Sequence, residues 1–231
     1  MSRGTVKIVT QPWRKMERFI HLLWAELFGI STDYHQDIIT LFRQKGIYYH
    51  RPFRDTRVAT ISLFPYRTPS IHYSIYQMKY RNKRSYIPLF GNLLAETLVD
   101  LLAELADTHH FVDPLLLVVP SSRASINKRG MHTNHELARA ACKAGLVHWV
   151  EYYPNLLTQA SRKYKQTQLT RRSDRLENPR GAYHLRKASY VDNRNIVLLD
   201  DVRTTGATVD EITRVLRASG ARRVLRITLA H

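Results

Sequence analysis

The run Val197-Leu198-Leu199-Asp200-Asp201-Val202-Arg203-Thr204-Thr205-Gly206-Ala207-Thr208 constrains the fold more than any other stretch of this chain. Its apolar half predicts a buried strand. Two adjacent carboxylates stand at the strand's carboxyl end, and a small hydroxyl-rich turn then opens a helix. Open α/β sheets bind their ligands at that end of their strands. The turn offers backbone N–H groups, the Thr204, Thr205 and Thr208 hydroxyls, and a helix N-terminus, a set that suits a phosphate. Gly206 has no Cβ, so an anion and the backbone can approach closely. Carboxylates beside such a cradle would repel a nucleotide's phosphates. They are compatible with ribose hydroxyls, or with magnesium held by a sugar. The ligand implied is a phosphorylated ribose.

The rest of the chain supplies the sheet around this run. Ile61–Phe64, Leu115–Val119, Val147–Tyr152, Ile196–Leu199 and Val224–Leu229 predict strands. Helices are predicted over Ile71–Lys79, from an Asn92 cap to about Ala106, over Asn134–Lys143 and over Ala207–Ala218. Strands alternating with helices give an α/β fold with a mainly parallel sheet flanked by helices. Residues 1–60 form a mostly helical N-terminal segment without an interpretable motif, and residues 61–231 form the α/β domain. Hydrophobic residues make up 44% of the 231, enough for a substantial core.

Net charge is +17. A field of that sign attracts phosphates, nucleic acid or anionic membrane surfaces, or it marks only a solvated basic surface. Cys142 is the only cysteine, so an internal disulfide is excluded. Phe19–Phe28 is apolar but too short to span a bilayer, and no signal peptide is evident. A cytoplasmic protein without membrane insertion is expected.

Three further constellations carry charge. Pro120, Ser121, Ser122 and Arg123 follow the strand ending at Val119, with Arg129 farther out, and together they suit a diphosphate. Residues 159–180 hold Arg162, Lys163, Tyr164, Lys165, Gln166, Arg171, Arg172 and Arg175 in a polar stretch with no apolar period. That stretch reads as a flap over a polyanion, as a single-stranded DNA contact with Tyr164 stacking, or as a solvated loop. Lys79-Tyr80-Arg81-Asn82-Lys83-Arg84 ends a helix, where cations complement the helix dipole; the alternative is that Lys79 and Tyr80 reach a substrate. Side-chain spacing argues against a dedicated protein metal site. Ser121 and Ser122 lack the Gly-x-Ser-x-Gly elbow of a serine hydrolase.

The Asp200–Thr208 segment closely resembles the phosphoribosyl-diphosphate (PRPP) binding motif of type I phosphoribosyltransferases. With Tyr76-Gln77-Met78-Lys79-Tyr80, Val119-Pro120, Lys128–Asn134, Gln166–Leu169, Arg175–Asn178 and Gly181-Ala182-Tyr183 in that order, the chain resembles the ComF family of competence-associated, amidophosphoribosyltransferase-like proteins. The resemblance runs from about Ile61 to the C-terminus. It implies a type I phosphoribosyltransferase fold and PRPP bound with magnesium. Asp200 and Asp201 would face the ribose hydroxyls as the catalytic pair, Thr204, Thr205, Gly206, Ala207 and Thr208 would surround the 5′-phosphate, and Val202 and Arg203 would complete the PRPP-binding run. It implies a diphosphate loop at Pro120–Arg123, and a role in uptake of single-stranded DNA with the uptake machinery. Many members begin with a cysteine zinc module, and this chain has no cysteine before Cys142. Two alternatives stay open: a salvage or biosynthetic phosphoribosyltransferase, and a non-catalytic PRPP-sensing regulator that binds DNA. Acceptor, partner proteins and oligomeric state are not legible in the residues.

Overall fold

The computed structural model describes residues 32–47, 49–51, 53, 57–160, 181–203 and 205–231. In chain order the elements are α1 (Thr32–Lys45), β1 (Tyr49–Arg51), β2 (Val58–Phe64), α2 (Pro69–Tyr80), α3 (Tyr86–His109), β3 (Leu115–Val118), α4 (Arg123–Arg129), α5 (Thr133–Lys143), β4 (Glu151–Tyr152), β5 (Leu157–Gln159), β6 (Tyr183–Leu185), β7 (Asn195–Val202), α6 (Ala207–Ala218) and β8 (Arg223–Ala230). Six strands make one sheet in the order β1-β2-β8-β7-β3-β4. Only β1 runs antiparallel to its neighbour; the other five strands are parallel. The α/β class and the mainly parallel sheet flanked by helices are those the sequence predicts. Among the described residues no helix is long and apolar enough to cross a membrane.

β3 and β7 are continuous apolar runs because both faces of the sheet are covered. Side chains alternate between the faces along a strand. Leu116, Val118, Val197, Leu199, Leu225 and Ile227 join one core, which includes Leu94 and Leu98 of α3 and Leu137 and Ala141 of α5. Leu115, Leu117, Ile196, Leu198 and Val224 join the other, with Val209, Ile212 and Leu216 of α6. Thus α5 and α6 lie on opposite faces. The chain leaves β7 toward β8 and leaves β3 toward β4, in opposite directions across the sheet. The strand order therefore reverses between β7 and β3, and a crevice opens at their carboxyl ends.

The N-terminal segment, where it is described, packs into the first core through Ile38, Ile39 and Phe53. β1 and β2 extend the sheet. Residues 1–31 lie outside the described residues. β5 and β6 form a separate antiparallel pair that flanks the basic stretch. Arg162, Lys163, Tyr164, Lys165, Gln166, Arg171, Arg172 and Arg175 of that stretch lie outside the described residues, as does Thr204.

Two sequence expectations need correction. Val147–Tyr152 is not one strand: Leu146–His148 form a 3-10 turn, and only Glu151–Tyr152 pair, with Leu115–Leu116. The helix expected to begin at Asn92 begins at Tyr86, with Gly91 inside it. Gly91 is there for space. A Cβ at this position would lie 2.4 Å from the Ala140 Cβ and 2.9 Å from the Ala140 carbonyl carbon. The backbone of α5 thus sits directly against α3. Gly91→Ala is expected to cost about 1–3 kcal/mol through overpacking, in spite of alanine's better helix propensity. Chemical denaturation of the variant measures this, and a neutral result would mean that α3 and α5 stand farther apart.

Candidate functional site

The crevice between β7 and β3 gathers residues from both sides. The Val119 N–H donates to the Leu199 carbonyl at 2.9 Å, so the segment after β3 rises beside Asp200. Asn134, buried at the start of α5, ties the two strand ends together. Its Nδ2 donates to the Val119 carbonyl at 3.0 Å and to Asp200 Oδ1 at 3.1 Å. The Asp201 N–H donates to the same Asp200 oxygen at 2.9 Å. On the other side, Gly206 at φ +84 opens α6. Gly206 has no side chain to cap this helix, and among its first-turn amides the Ala207 N–H reaches Thr205 Oγ1 at a long 3.4 Å. A Cβ on Gly206 would lie 2.9 Å from Arg203 Nε, so the guanidinium packs against this turn. Phosphate-binding chemistry is thereby assembled from a helix terminus and a neighbouring cation.

The two acids have different partners. Alternation along β7 sends them to different sides. Asp201 shares a face with Leu199 and is 7% exposed. Its carboxylate accepts from Lys79 Nζ of α2, at 2.9 Å to each oxygen. The Val202 N–H donates to it at 2.7 Å. Among the described residues no cation pairs with Asp200. Burial, and then the charge of Asp201, push its carboxyl up to about 7; Asn134, the Asp201 amide and Lys79 pull the other way. The structure therefore offers one ion-paired carboxylate, and one at the rim that is costly to ionise.

The loop after β3 is fixed from behind. The Ser121 N–H donates to His132 Nε2 at 3.1 Å, which places the neutral imidazole's proton on Nδ1. Burial lowers the pKa of His132 and favours that neutral form. The ring meets His135 edge-on, with centroids 4.0 Å apart. His135 Nδ1 lies 2.5 Å from the Tyr152 hydroxyl, and its pKa is pushed down to about 4, mainly by burial. Ser122 caps α4, accepting from the Ser125 N–H at 3.1 Å. Arg123 is exposed at the start of α4. The Arg129 guanidinium lies over the Tyr80 ring, 5.4 Å from its centroid.

Three side-chain atoms at this rim are buried yet make no hydrogen bond among the described residues: His132 Nδ1, Thr133 Oγ1 and Asn134 Oδ1. Buried polar atoms are seldom left unmatched. The three residues are consecutive at the start of α5, where Asn134 holds Asp200. Across the crevice the Gly181 N–H donates to Glu211 Oε1 at 2.8 Å, so Gly181, which follows the basic stretch, lies beside α6.

The crevice brings together Asp200, Asp201, Val202, Arg203, Thr205, Gly206, Ala207 and Thr208 on one side and Pro120, Ser121 and Ser122 on the other. Arg123 and Arg129 lie on α4, just beyond that loop. Sequence reasoning missed the Lys79–Asp201 pairing and the Asn134 bridge. Alternation along β7 signals the divergence of the acids; no local signal names their partners.

Among solved structures, the chain is similar to a hypoxanthine-guanine phosphoribosyl transferase of L. donovani, at 14% identity and a TM-score of 0.38, over 62% of this chain and 66% of that one. It is similar to an allosteric regulatory enzyme of purine biosynthesis at 18% identity and a TM-score of 0.38, over 63% of this chain and 26% of that one. A third is the HGPRT-ase of Leishmania tarentolae in complex with GMP, at 17% identity and a TM-score of 0.35, over 62% and 64% of the two chains. In each case the chain spans less than two thirds of the matched chain's length. Comparison with curated proteins finds no match. Residues 124–231, which include α5, β7, the turn after it, α6 and β8, match the phosphoribosyl transferase domain.

Proposed function

We propose that this chain binds PRPP together with magnesium in the crevice between β7 and β3, and that it is a ComF-type protein acting on single-stranded DNA during uptake. The observation that carries the sugar-phosphate reading is a convergence. A rim carboxylate tied to Asn134 and a helix terminus that opens at Gly206 beside Arg203 meet where the strand order reverses. Ribose hydroxyls would donate to Asp200, with Asp201 held in register by Lys79. The 5′-phosphate would sit on residues 202–208, and the diphosphate on Pro120, Ser121, Ser122 and Arg123, with Arg129 behind. Loss of diphosphate from ribose C1 develops positive charge on the sugar, and a nearby carboxylate stabilises that charge. Among the described residues no group of three or more His, Cys, Asp or Glu side chains can hold a metal ion, and Asp201 is already paired. That donor set fits magnesium carried in by the diphosphate, where it neutralises charge.

Calorimetric titration with PRPP and magnesium tests the pocket. Saturable binding is expected, weakened at least tenfold in Asp200→Ala/Asp201→Ala. Equal affinity in that variant would overturn the assignment. The charge of +17 supports the polymer contact, and labelled single-stranded DNA is expected to bind with a steep salt dependence. Turnover of PRPP with a free base would instead make the chain a salvage-type enzyme.

A further inference from the structure

We infer that the outer face of α2, with α4 beside it, is a stacking platform for single-stranded nucleic acid; this rests on the polymer part of the reading above and gives it a place. Tyr76 and Tyr80, four residues apart on α2, are 40% and 49% exposed. Their rings pack on each other with centroids 5.3 Å apart, and Arg129 of α4 covers Tyr80. Large aromatic surface in water is unfavourable, and a soluble protein gains nothing from it unless a partner covers it. The surrounding charge identifies the partner's sign. Arg81, Lys83 and Arg84 are exposed just after α2, and Lys128 is exposed on α4. No Asp or Glu occurs between Asp55 and Glu96, or between Asp113 and Glu136. The two acid-free stretches meet where Arg129 contacts Tyr80.

Two exposed tyrosine rings tilted 41° to each other, a guanidinium over one of them and cations from two acid-free stretches of sequence form the combination that holds unpaired bases and their phosphates. A protein partner with an acidic face could use the cations and the rings alike, and the preference for single strand over duplex and heparin in the test below decides for the nucleic acid. Duplex DNA offers phosphates but keeps its base faces stacked. The platform adjoins the crevice through Lys79, which lies between Tyr76 and Tyr80 in sequence and points to Asp201. A strand lying on it would therefore pass the rim of the candidate sugar site.

The test is fluorescence anisotropy with a labelled oligothymidylate on the full chain, with duplex DNA of equal charge and heparin as competitors. Tyr76→Ala/Tyr80→Ala is expected to weaken oligothymidylate binding on the order of tenfold or more, while Tyr76→Phe/Tyr80→Phe retains it. Lys83→Ala/Arg84→Ala is expected to flatten the salt dependence by about 0.7 in log–log slope for each cation removed. Unchanged affinity in the tyrosine double variant overturns the platform, as does equal preference of the wild type for heparin, duplex and single strand. Magnesium-PRPP titration of the same variants, together with their melting curves, separates this outcome from failure of the sugar site or of folding. If no polymer binds the wild type at all, both the platform and the polymer reading fall, while the sugar reading stands on its own titration.

Discussion

Lys79→Met is expected to lower the stability of this protein by about 3 kcal/mol, a drop in melting temperature of roughly 6–12 °C for a chain of this size. The Lys79 and Asp201 side chains are 14% and 10% exposed, so the pair is largely withdrawn from water. Methionine fills the space of the lysine stem but leaves the carboxylate with the Val202 N–H as its remaining donor. Most of the loss is that stranded charge, and little of it is the worth of the pair itself. The second variant follows from this. Lys79→Met combined with Asp201→Asn removes both charges and is expected to recover most of the stability, because two neutral groups need no ionic partner. PRPP affinity is expected to stay low in both variants, since neither keeps the Asp201 carboxylate that Lys79 holds in register beside Asp200. Thermal and chemical melts of the two variants measure the coupling. If the double variant is as unstable as the single one, Lys79 stabilises α2 by packing, and Asp201 owes it nothing.

That pair also shows where sequence reading ends. The strand, the acids and the turn of β7 are contiguous, so apolar run, charge and glycine could be read as one unit with its place in a parallel sheet. Lys79 and Asp201 are 122 positions apart, and Asn134 and Asp200 are 66 apart. No periodicity spans such distances. Helix-dipole complementarity already accounts for a lysine at the end of α2, so nothing local demanded another partner. Gly91 was misleading for a related reason. Before a run of leucines it resembles a helix boundary, yet it lies mid-helix because Ala140 of α5 leaves no room for a side chain. Val147 and Trp149 look like alternate strand residues, but both are exposed on the turn that precedes β4. In each case, contact with a distant element overrode the local signal. Asp200 stood out as a charge at the end of the apolar run of β7, and Ser121 and Arg203 because they follow apolar strands.

Asp200→Asn is expected to stabilise the fold above neutral pH while abolishing sugar-phosphate binding. The wild-type carboxyl titrates near 3.8 when unfolded and at about 7 in the folded protein, chiefly because burial penalises its charge. Between those values the folded state holds a proton that the unfolded state has lost. Stability from this group is therefore complete below pH 4 and is lost as pH rises through 7. Asparagine keeps the shape and cannot ionise, so the loss vanishes. The variant should exceed the wild type at pH 8 by an amount on the order of a few kcal/mol, and the gap should narrow toward pH 4. Other groups add their own slopes. His135, pushed down to about 4, makes stability fall as pH drops from its ordinary value near 6.5 toward 4, so only the difference between the two proteins isolates Asp200. Binding should run the other way. If ribose hydroxyls donate to the ionised form, wild-type affinity for PRPP rises with pH until about 7 and then levels, while the asparagine variant shows neither the affinity nor the slope. A substitution that strengthens the fold and removes the ligand identifies a residue kept for binding in spite of its cost. Parallel pH curves for the two proteins would mean that Asp200 is already charged at low pH and that the crevice is wetter than its geometry indicates.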